Sequence, residues 1–263
     1  MKKQIKYILV FAICVGIISY CLYNNKSHAS SSEKISISGE LAASIDESNY
    51  GHIKIRDLQT NEISMLEVKD SLMLANSIED IKWLENNTLA VISHVNPSLS
   101  CLLVYNVRTQ ELIDERYGTF FEWANEAPSS LYYISPTPHF SEEIGPESIL
   151  DFSDNTVFKT DGGISLSNLA ISPNGEKIGF LSTDHQSEKI MINVISSDML
   201  GNEEKSSWVG VSGELEWKND DVLRISSPEY EVEFSAIDGN IVNEMRFGET
   251  SNESMTEIED ILE

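Results

Sequence analysis

The sequence has little cysteine, with three among 263 residues. Cys14 and Cys21 lie in an apolar N-terminal segment, so Cys101 has no second cysteine to pair with in the rest of the chain. This excludes an intramolecular disulfide there, and stability must come from a hydrophobic core. Because Cys101 opens the apolar run CLLVYNV (101–107), we expect a buried and unreactive thiol.

Basic residues are scarce as well. There are 18 lysines and arginines against 43 acidic residues, which gives a formal net charge of −25 at pH 7. Such a charge repels nucleic acid and anionic membrane surfaces, so neither is expected as a partner. The charge favours solubility outside a cell, and the alternative is that it serves to bind a cation or a basic partner.

The motifs of common catalytic and metal sites are missing too. The histidines outside the N-terminal segment are scattered without the spacing of a zinc site. They are His52, His94, His139 and His185. The sequence has no phosphate-binding glycine-rich loop, no dinucleotide fingerprint and no nucleophile elbow. We therefore predict no catalytic residue, no cofactor and no metal site.

Carboxylates leave an alternative open. The candidates are Asp80, Glu122, Glu216, Asp151, Asp154 and Asp161. The first three stand beside residues that close strands, and on inner strands of a propeller they could serve as the acid and base of a carbohydrate-active hydrolase. The favoured interpretation is that they form the polar face of alternating strands. The last three could bind calcium, but the DxDxDG spacing is absent, so we expect them to form turns.

Four stretches of the chain repeat one pattern. Each begins with a large apolar residue that closes a strand, continues through turn-forming residues and resumes with a second apolar run. The anchors are Trp83, Trp123, Ile171 and Trp217, at intervals of 40, 48 and 46 residues. A period of roughly 40–50 residues with four short strands is typical of propeller blades, and we expect the tryptophans to pack between repeats.

The best-preserved copy is LAISPNGEKIGFLST (169–183), in which Pro173, Asn174 and Gly175 predict a turn between two strands. ISPNGEKIGFLS resembles the SPDGKKIAF core of the TolB-like repeats, which are related to WD-repeat propellers. The resemblance implies a propeller fold in the bacterial cell envelope and an extracytoplasmic role in protein binding or ligand sensing. It carries no catalytic residues, because the motif is a structural turn.

We therefore expect an all-β fold, a small β-propeller of about five four-stranded units preceded by one N-terminal apolar helix. A β-sandwich is the alternative. The first unit is expected to be incomplete, without a first strand. The predicted domains are a signal peptide or single transmembrane anchor (1–23), a polar linker (24–34), a propeller-like β domain (35–247) and an acidic C-terminal tail (248–263).

The N-terminal segment predicts the location. Three lysines among the first six residues precede an uncharged apolar stretch at residues 7–23. Its length lies between those of a signal-peptide core and a membrane-spanning helix, and the lysines favour a cytoplasmic N-terminus. Small residues before Ser30 offer a cleavage site. We expect either a single-pass protein of the cell membrane, with the β domain outside, or a secreted protein.

The predicted function is a non-enzymatic binding or sensing module that presents loops to an envelope protein or a small ligand. An extracytoplasmic carbohydrate-active hydrolase is the alternative, and a structural spacer at the cell surface is a third possibility. The predicted contact loop lies between the strands LYYIS (131–135) and NTVFKT (155–160), where prolines stiffen a segment with a histidine and an aromatic residue. Its residues are Pro136, Pro138, His139, Phe140 and Pro146.

Overall fold

The computed structural model describes residues 33–124, 130–135, 145–198 and 204–247. Within these ranges the chain folds into antiparallel β-strands, and none of it forms a helix that could cross a membrane. The predicted apolar helix and acidic tail lie outside the described residues. The chain divides into two compact units, with the boundary between Gly118 and Thr119, and each is described by itself.

The first unit contains two four-stranded sheets, which we call repeats 1 and 2. The strands of repeat 1 are β1 (Lys34–Ile35), β2 (Leu41–Ile45), β3 (His52–Asp57) and β4 (Ile63–Glu67). Those of repeat 2 are β5 (Ser77–Trp83), β6 (Thr88–Asn96), β7 (Leu99–Asn106) and the first part of β8 (Glu111–Trp123). Each strand pairs with the next along the chain. The expectation that the first repeat lacks its first strand is wrong, because β1 pairs with β2 through Lys34 and Ile35.

The second unit contains repeats 3 to 5. Repeat 3 consists of the end of β8, β9 (Leu131–Ile134), β10 (Ser148–Asp151) and β11 (Thr156–Lys159). Repeat 4 consists of β12 (Ile164–Ile171), β13 (Lys177–Asp184), β14 (Lys189–Ser196) and β15 (Lys205–Trp208), and repeat 5 of β16 (Glu214–Asn219), β17 (Val222–Ser226), β18 (Tyr230–Ser235) and β19 (Ile241–Arg246). Strand β10 lies inside the segment that we predicted to be a loop, because Ile149 and Leu150 pair with β9.

Alternating apolar residues form the core of each unit. In the first unit, Ile53, Leu89 and Leu103 belong to one buried cluster, which also contains Cys101. In the second unit, Val232 and Phe234 both point inward from β18, as their alternation predicts. The burial of Cys101 is confirmed, and it raises the pKa of the thiol to about 12, so the thiol stays protonated at neutral pH.

The Ser172 turn (residues 172–177) joins β12 to β13. The Ser172 N–H donates to the Lys177 carbonyl over 2.9 Å, and the Gly175 N–H donates to the Ser172 carbonyl over 2.8 Å. The Ser172 hydroxyl accepts from the Lys177 N–H over 2.9 Å. Gly175 has a φ of 76°, a left-handed conformation that glycine adopts without strain. The predicted turn is confirmed.

The Ser36 turn (residues 36–41) joins β1 to β2 and repeats each of these features. The Ser36 N–H donates to the Leu41 carbonyl over 2.8 Å, and the Gly39 N–H donates to the Ser36 carbonyl over 2.9 Å. The Ser36 hydroxyl accepts from the Leu41 N–H over 3.0 Å, and Gly39 has a φ of 72°. SISGEL is therefore a second copy of SPNGEK.

Tryptophan indoles join successive repeats at corresponding places in the two units. Trp83 Nε1 donates to the Lys34 carbonyl over 2.7 Å, and Trp217 Nε1 donates to the Ala170 carbonyl over 3.2 Å. Both carbonyls belong to the residue two positions before the serine of a turn. Both indoles are buried, so the expectation that these tryptophans pack between repeats is confirmed.

Candidate functional site

Within the described part of the first unit, exposed apolar side chains follow one another in a loop between β4 and β5. Leu72, Met73 and Leu74 are consecutive, and their exposed fractions are 63%, 80% and 47%. We call residues 72–74 the apolar loop. Met73 has a φ of 57°, in the left-handed region that residues with a side chain rarely adopt. Isolated exposed apolar residues are ordinary, but three in sequence on a strained backbone are not.

A buried carboxylate fixes the apolar loop. Asp70 is only 3% exposed, and its Oδ1 accepts from the N–H of Leu74 over 2.6 Å and from that of Ala75 over 3.0 Å. Its Oδ2 accepts from the Tyr117 hydroxyl. The Asp70 carbonyl accepts from the Met73 N–H over 3.1 Å. The side chain and the backbone of one residue thus define the course of the whole loop.

The electrostatics around Asp70 and Tyr117 keep the carboxylate ionised and the phenol protonated. Burial acts to raise the pKa of Asp70, but the hydrogen bonds from Tyr117, Ala75 and Leu74 outweigh it, so the pKa lies below its ordinary value. Burial, with the hydrogen bond to Asp70 next, raises the pKa of Tyr117. At neutral pH the carboxylate therefore accepts and the phenol donates.

Two further contacts hold the base of the apolar loop. The Tyr105 hydroxyl donates to the Lys69 carbonyl over 2.6 Å and accepts from the Lys69 N–H over 2.8 Å. The Ser71 N–H donates to Glu115 over 2.8 Å, and the Ser71 hydroxyl also donates to that carboxylate. The loop is therefore held on both sides of Asp70, while its apolar side chains face solvent.

A polar cleft is the second feature of the first unit. It is open, has a volume of about 520 Å³, and is lined by Ile37, Glu85, Asn86, Asn87, Thr88 and Asn106. Arg108 lies beside it, where its Nε donates to Asn87 Oδ1 over 2.7 Å and its guanidinium is 3.5 Å from the Glu40 carboxylate. The cleft lies between the Ser36 turn and the turn at residues 84–88, which we call the Asn86 turn.

Among the described residues of the second unit, the most exposed aromatic side chain is Trp208 on β15. Gly210 has a φ of 68°, and a Cβ added there would lie 3.0 Å from the indole ring. The ring therefore packs against the backbone of Gly210, which restricts its orientation, although Trp208 is 62% exposed. An exposed tryptophan of fixed orientation is a common contact residue at protein interfaces.

Two of the carboxylates predicted as catalytic candidates, Asp80 and Glu216, form ion pairs, and two of the calcium candidates, Asp151 and Asp154, accept hydrogen bonds. Asp80 lies 2.5 Å from the Lys34 ammonium, and Glu216 pairs with Arg224. Asp151 accepts from the N–H groups of its own turn, as expected, and Asp154 accepts from the Tyr133 hydroxyl. Across the described ranges no three histidine, cysteine or acidic side chains come together as metal ligands would.

The predicted contact loop lies mostly outside the described residues, which include Pro146 but not Pro136, Pro138, His139 or Phe140. Pro146 is exposed and precedes Glu147, a buried residue whose carboxylate accepts from the Leu166 N–H over 2.5 Å. The role of this loop in partner contact stays a prediction.

No family model matches the sequence, and no curated protein sequence matches it. Solved structures do. An oligogalacturonate lyase in complex with manganese is similar over 81% of this chain and 63% of its own, at 12% identity and a TM-score of 0.53. A prolyl endopeptidase is similar over 78% of this chain and 34% of its own, at 13% identity and a TM-score of 0.50. The fold is β-propeller-like.

This similarity concerns the fold alone, because the identity is too low to carry a function. It favours the predicted propeller-like architecture over the β-sandwich. The chain spans less than two thirds of the length of each of these solved chains. The resemblance to TolB-like repeats stays a prediction.

Proposed function

We propose that this chain is a non-enzymatic binding module, built from propeller-like repeats, that docks a protein partner through the apolar loop. We further propose that it acts outside the cytoplasm, either tethered to the cell membrane or secreted. The location rests on the N-terminal segment, which lies outside the described residues. The binding role rests on the structure of the loop.

The observation that carries the proposal is the combination of exposure and fixation at residues 72–74. Exposed Leu72 and Met73 have an unfavourable contact with water, which burial against a partner would relieve at about 25 cal/mol per Å² of apolar surface. Because Asp70 already holds the loop in one conformation, little conformational entropy is lost on binding. A protein partner with an apolar recess fits this surface better than an anionic bilayer, which a chain of net charge −25 would repel.

The carbohydrate-active hydrolase remains an alternative that no particular contact favours. Its candidate carboxylates Asp80 and Glu216 are paired with basic side chains. The similarity to an oligogalacturonate lyase is a similarity of fold.

A photo-crosslinking amino acid at position 73 of the full chain, in the cells that make it, tests the docking proposal. We expect one dominant protein adduct from position 73. The same crosslinker at Gln59, an exposed polar turn position in the same unit, is the matched control and should give no such adduct. The adduct should disappear when Leu72→Ser and Leu74→Ser are combined with the crosslinker.

Two results would overturn the proposal. One is crosslinking to lipid instead of protein, and the other is an identical set of adducts from positions 73 and 59. Asp70→Asn provides a second test, since it leaves all three apolar side chains in place but weakens the acceptor that orders them. A role for the fixed loop predicts a lower adduct yield with this variant, at an unchanged amount of folded protein.

A further inference from the structure

The second unit shows what fills the gap between two successive turns. Lys177, the last residue of the Ser172 turn, extends to the turn after β16, which we call the Asp220 turn (residues 219–221). Its ammonium donates to the Asp220 carbonyl over 2.6 Å and to Asp221 Oδ1 over 2.9 Å. The Asn174 N–H donates to Asp220 Oδ1 over 2.9 Å. One ammonium and one N–H group therefore close the gap.

The first unit has the same pair of turns, but the cation between them is Arg108, which bonds the Asn87 side chain and lies 3.5 Å from the Glu40 carboxylate without reaching the Asn86 carbonyl. Trp83 and Trp217 make corresponding indole hydrogen bonds, so Asn86 and Asn87 stand where the second unit has Asp220 and Asp221. The backbone hydrogen bonds of these residues correspond in the two units as well. The Asn87 carbonyl accepts from the N–H of Val107 over 2.9 Å, and the Asp221 carbonyl accepts from that of Ala236 over 2.8 Å.

The position of Lys177 is occupied by Leu41 in the first unit. Leu41 is buried in the core of that unit and has no polar end to reach the Asn86 turn. Among the residues that the structure describes, none donates a hydrogen bond to the Asn86 carbonyl. Asn86 lines the polar cleft, and Arg108 already donates to Asn87 Oδ1, the counterpart of Asp221 Oδ1, so the acceptors left on this turn are those of Asn86.

The charge and the shape of the polar cleft fit a cationic group at the end of an aliphatic side chain. The Glu85 carboxylate lines the cleft at the position where the second unit has the neutral Asn219. Ile37 is exposed at the cleft and offers an apolar wall for a methylene chain. The nearby guanidinium of Arg108 is directed to Asn87 and Glu40, so its charge is balanced locally.

We propose that the polar cleft binds the ammonium group of a lysine side chain from a partner protein. The ammonium takes the place that the Lys177 ammonium occupies in the second unit. It donates to the Asn86 carbonyl and to Asn86 Oδ1, with the Glu85 carboxylate nearby, while Arg108 keeps its bond to Asn87 Oδ1. This site is separate from the apolar loop.

The probe for this proposal is N-acetyl-lysine methylamide, titrated into the ¹⁵N-labelled full chain in detergent micelles. Chemical shifts of the side-chain amides of Asn86 and Asn106 report binding at the cleft. The matched control is the norleucine compound, which keeps the aliphatic stem and lacks the ammonium. We expect shifts with the lysine probe and none with the norleucine probe. Equal shifts with both would overturn the proposal.

Two substitutions make the test specific. Asn86→Asp places a carboxylate beside the proposed ammonium and should tighten lysine binding about two- to fivefold, the range of an exposed ion pair. Leu41→Lys supplies an internal ammonium and should abolish binding of the probe, whereas Leu41→Met should leave it unchanged. Unaltered affinity in Asn86→Asp would contradict the proposal, and this outcome does not depend on whether Leu41→Lys folds.

A last control separates this site from the proposed function. The variant with Leu72→Ser and Leu74→Ser should bind the lysine probe with unchanged affinity. If that variant lost both partner crosslinking and probe binding, the two surfaces would form one site and the cleft proposal would be wrong as stated.

Discussion

Each unit contains one corresponding pair of turns, and the two pairs differ in the side chains that lie between the turns. In the first unit, the Ser36 turn and the Asn86 turn border an open polar cleft. In the second unit, the Ser172 turn and the Asp220 turn are joined by direct hydrogen bonds. The backbone hydrogen bonds of the Ser36 turn and the Ser172 turn agree.

The difference therefore depends on a few side chains on a common backbone. A lysine replaces a leucine at the end of the first turn, and two aspartates replace two asparagines in the second turn. Serine, glycine and tryptophan define the frame, because they make the hydrogen bonds that both units share. The side chains at other positions take no part in these shared hydrogen bonds. They can therefore differ between the units, so that they join the two turns in one unit and border an open cleft in the other.

The largest loss of stability is expected from replacing the tryptophans that bond a backbone carbonyl in each unit. Replacing Trp83 or Trp217 with alanine should lower the free energy of unfolding by about 3–5 kcal/mol, since each is a buried aromatic side chain. Urea denaturation measures the loss, and hydrogen exchange of β1 and β12 locates it. Equal protection of both strands in both variants would show that the two indoles are not local clamps.

Phenylalanine at the same positions sharpens this comparison. It keeps most of the apolar contact but leaves a backbone carbonyl without its donor, at a cost of about 1–3 kcal/mol. The hydrogen bond to Lys34 is 2.7 Å long and that to Ala170 is 3.2 Å, so Trp83→Phe should cost more than Trp217→Phe. The reverse order would mean that bond length does not control the difference.

The second largest loss of stability is expected at a position where the two units pack differently. A Cβ added to Gly179 would lie 2.5 Å from Leu223 Cδ2, and Leu223 is fully buried. Gly179→Ala should therefore destabilise the second unit by about 1–3 kcal/mol through overpacking. In the first unit the corresponding residues are Ala43 and Leu89, which belong to the same buried cluster.

The reciprocal substitution is the control for this packing difference. Ala43→Gly should cost less, about 0.5–1 kcal/mol, because it removes one methyl group and adds backbone freedom without a clash. Urea denaturation of both variants measures the two costs. A larger loss from Ala43→Gly than from Gly179→Ala would contradict the interpretation of Gly179 as a site of close approach.

Much of the fold could be predicted from the sequence because its period is carried by large residues. Trp83, Trp123 and Ile171 close β5, β8 and β12 as their spacing predicts, whereas Trp217 lies two residues before the end of β16. The first repeat was misjudged because its turn, SISGEL, lacks the proline and asparagine of SPNGEK. The structure shows that the serine hydroxyl and the glycine φ carry the turn, so a Ser-x-x-Gly-Glu pattern would have identified the second copy.

The candidate sites were harder to predict, for a physical reason. The apolar loop is fixed by contacts between Asp70 and Tyr117, which are far apart in sequence and meet only once the strand register is set. The signal present in the sequence was the apolar triplet after Asp-Ser, without the alternation of a strand. The correspondence of Leu41, beside the polar cleft, to Lys177 becomes visible only after the two turns are recognised as copies.

The smallest expected effect is on the loss of folding stability in acid, to which one aspartate in a turn of each unit contributes. In the first unit, hydrogen bonds from Lys54 and then from Ser48 lower the pKa of Asp46 from 3.8 to about 2. In the second unit, hydrogen bonds from the Ser187 hydroxyl and then from the Gln186 N–H lower the pKa of Asp184. A carboxylate with a lowered folded-state pKa stabilises the protein above its unfolded-state pKa, and this contribution fades as the pH falls from about 4 towards about 2.

Asp46→Asn should therefore flatten the acid dependence of stability in the first unit, and Asp184→Asn should do the same in the second. We expect the larger change from Asp46→Asn, because the Lys54 ammonium lies 2.8 Å from its carboxylate and adds an ion pair to the turn hydrogen bonds. Urea denaturation at pH 5 and at pH 2.5, with hydrogen exchange assigning the loss to β2 or β13, measures both. An Asp46→Asn protein that loses as much stability between these pH values as the unmodified chain would show that the ion pair does not couple protonation to folding.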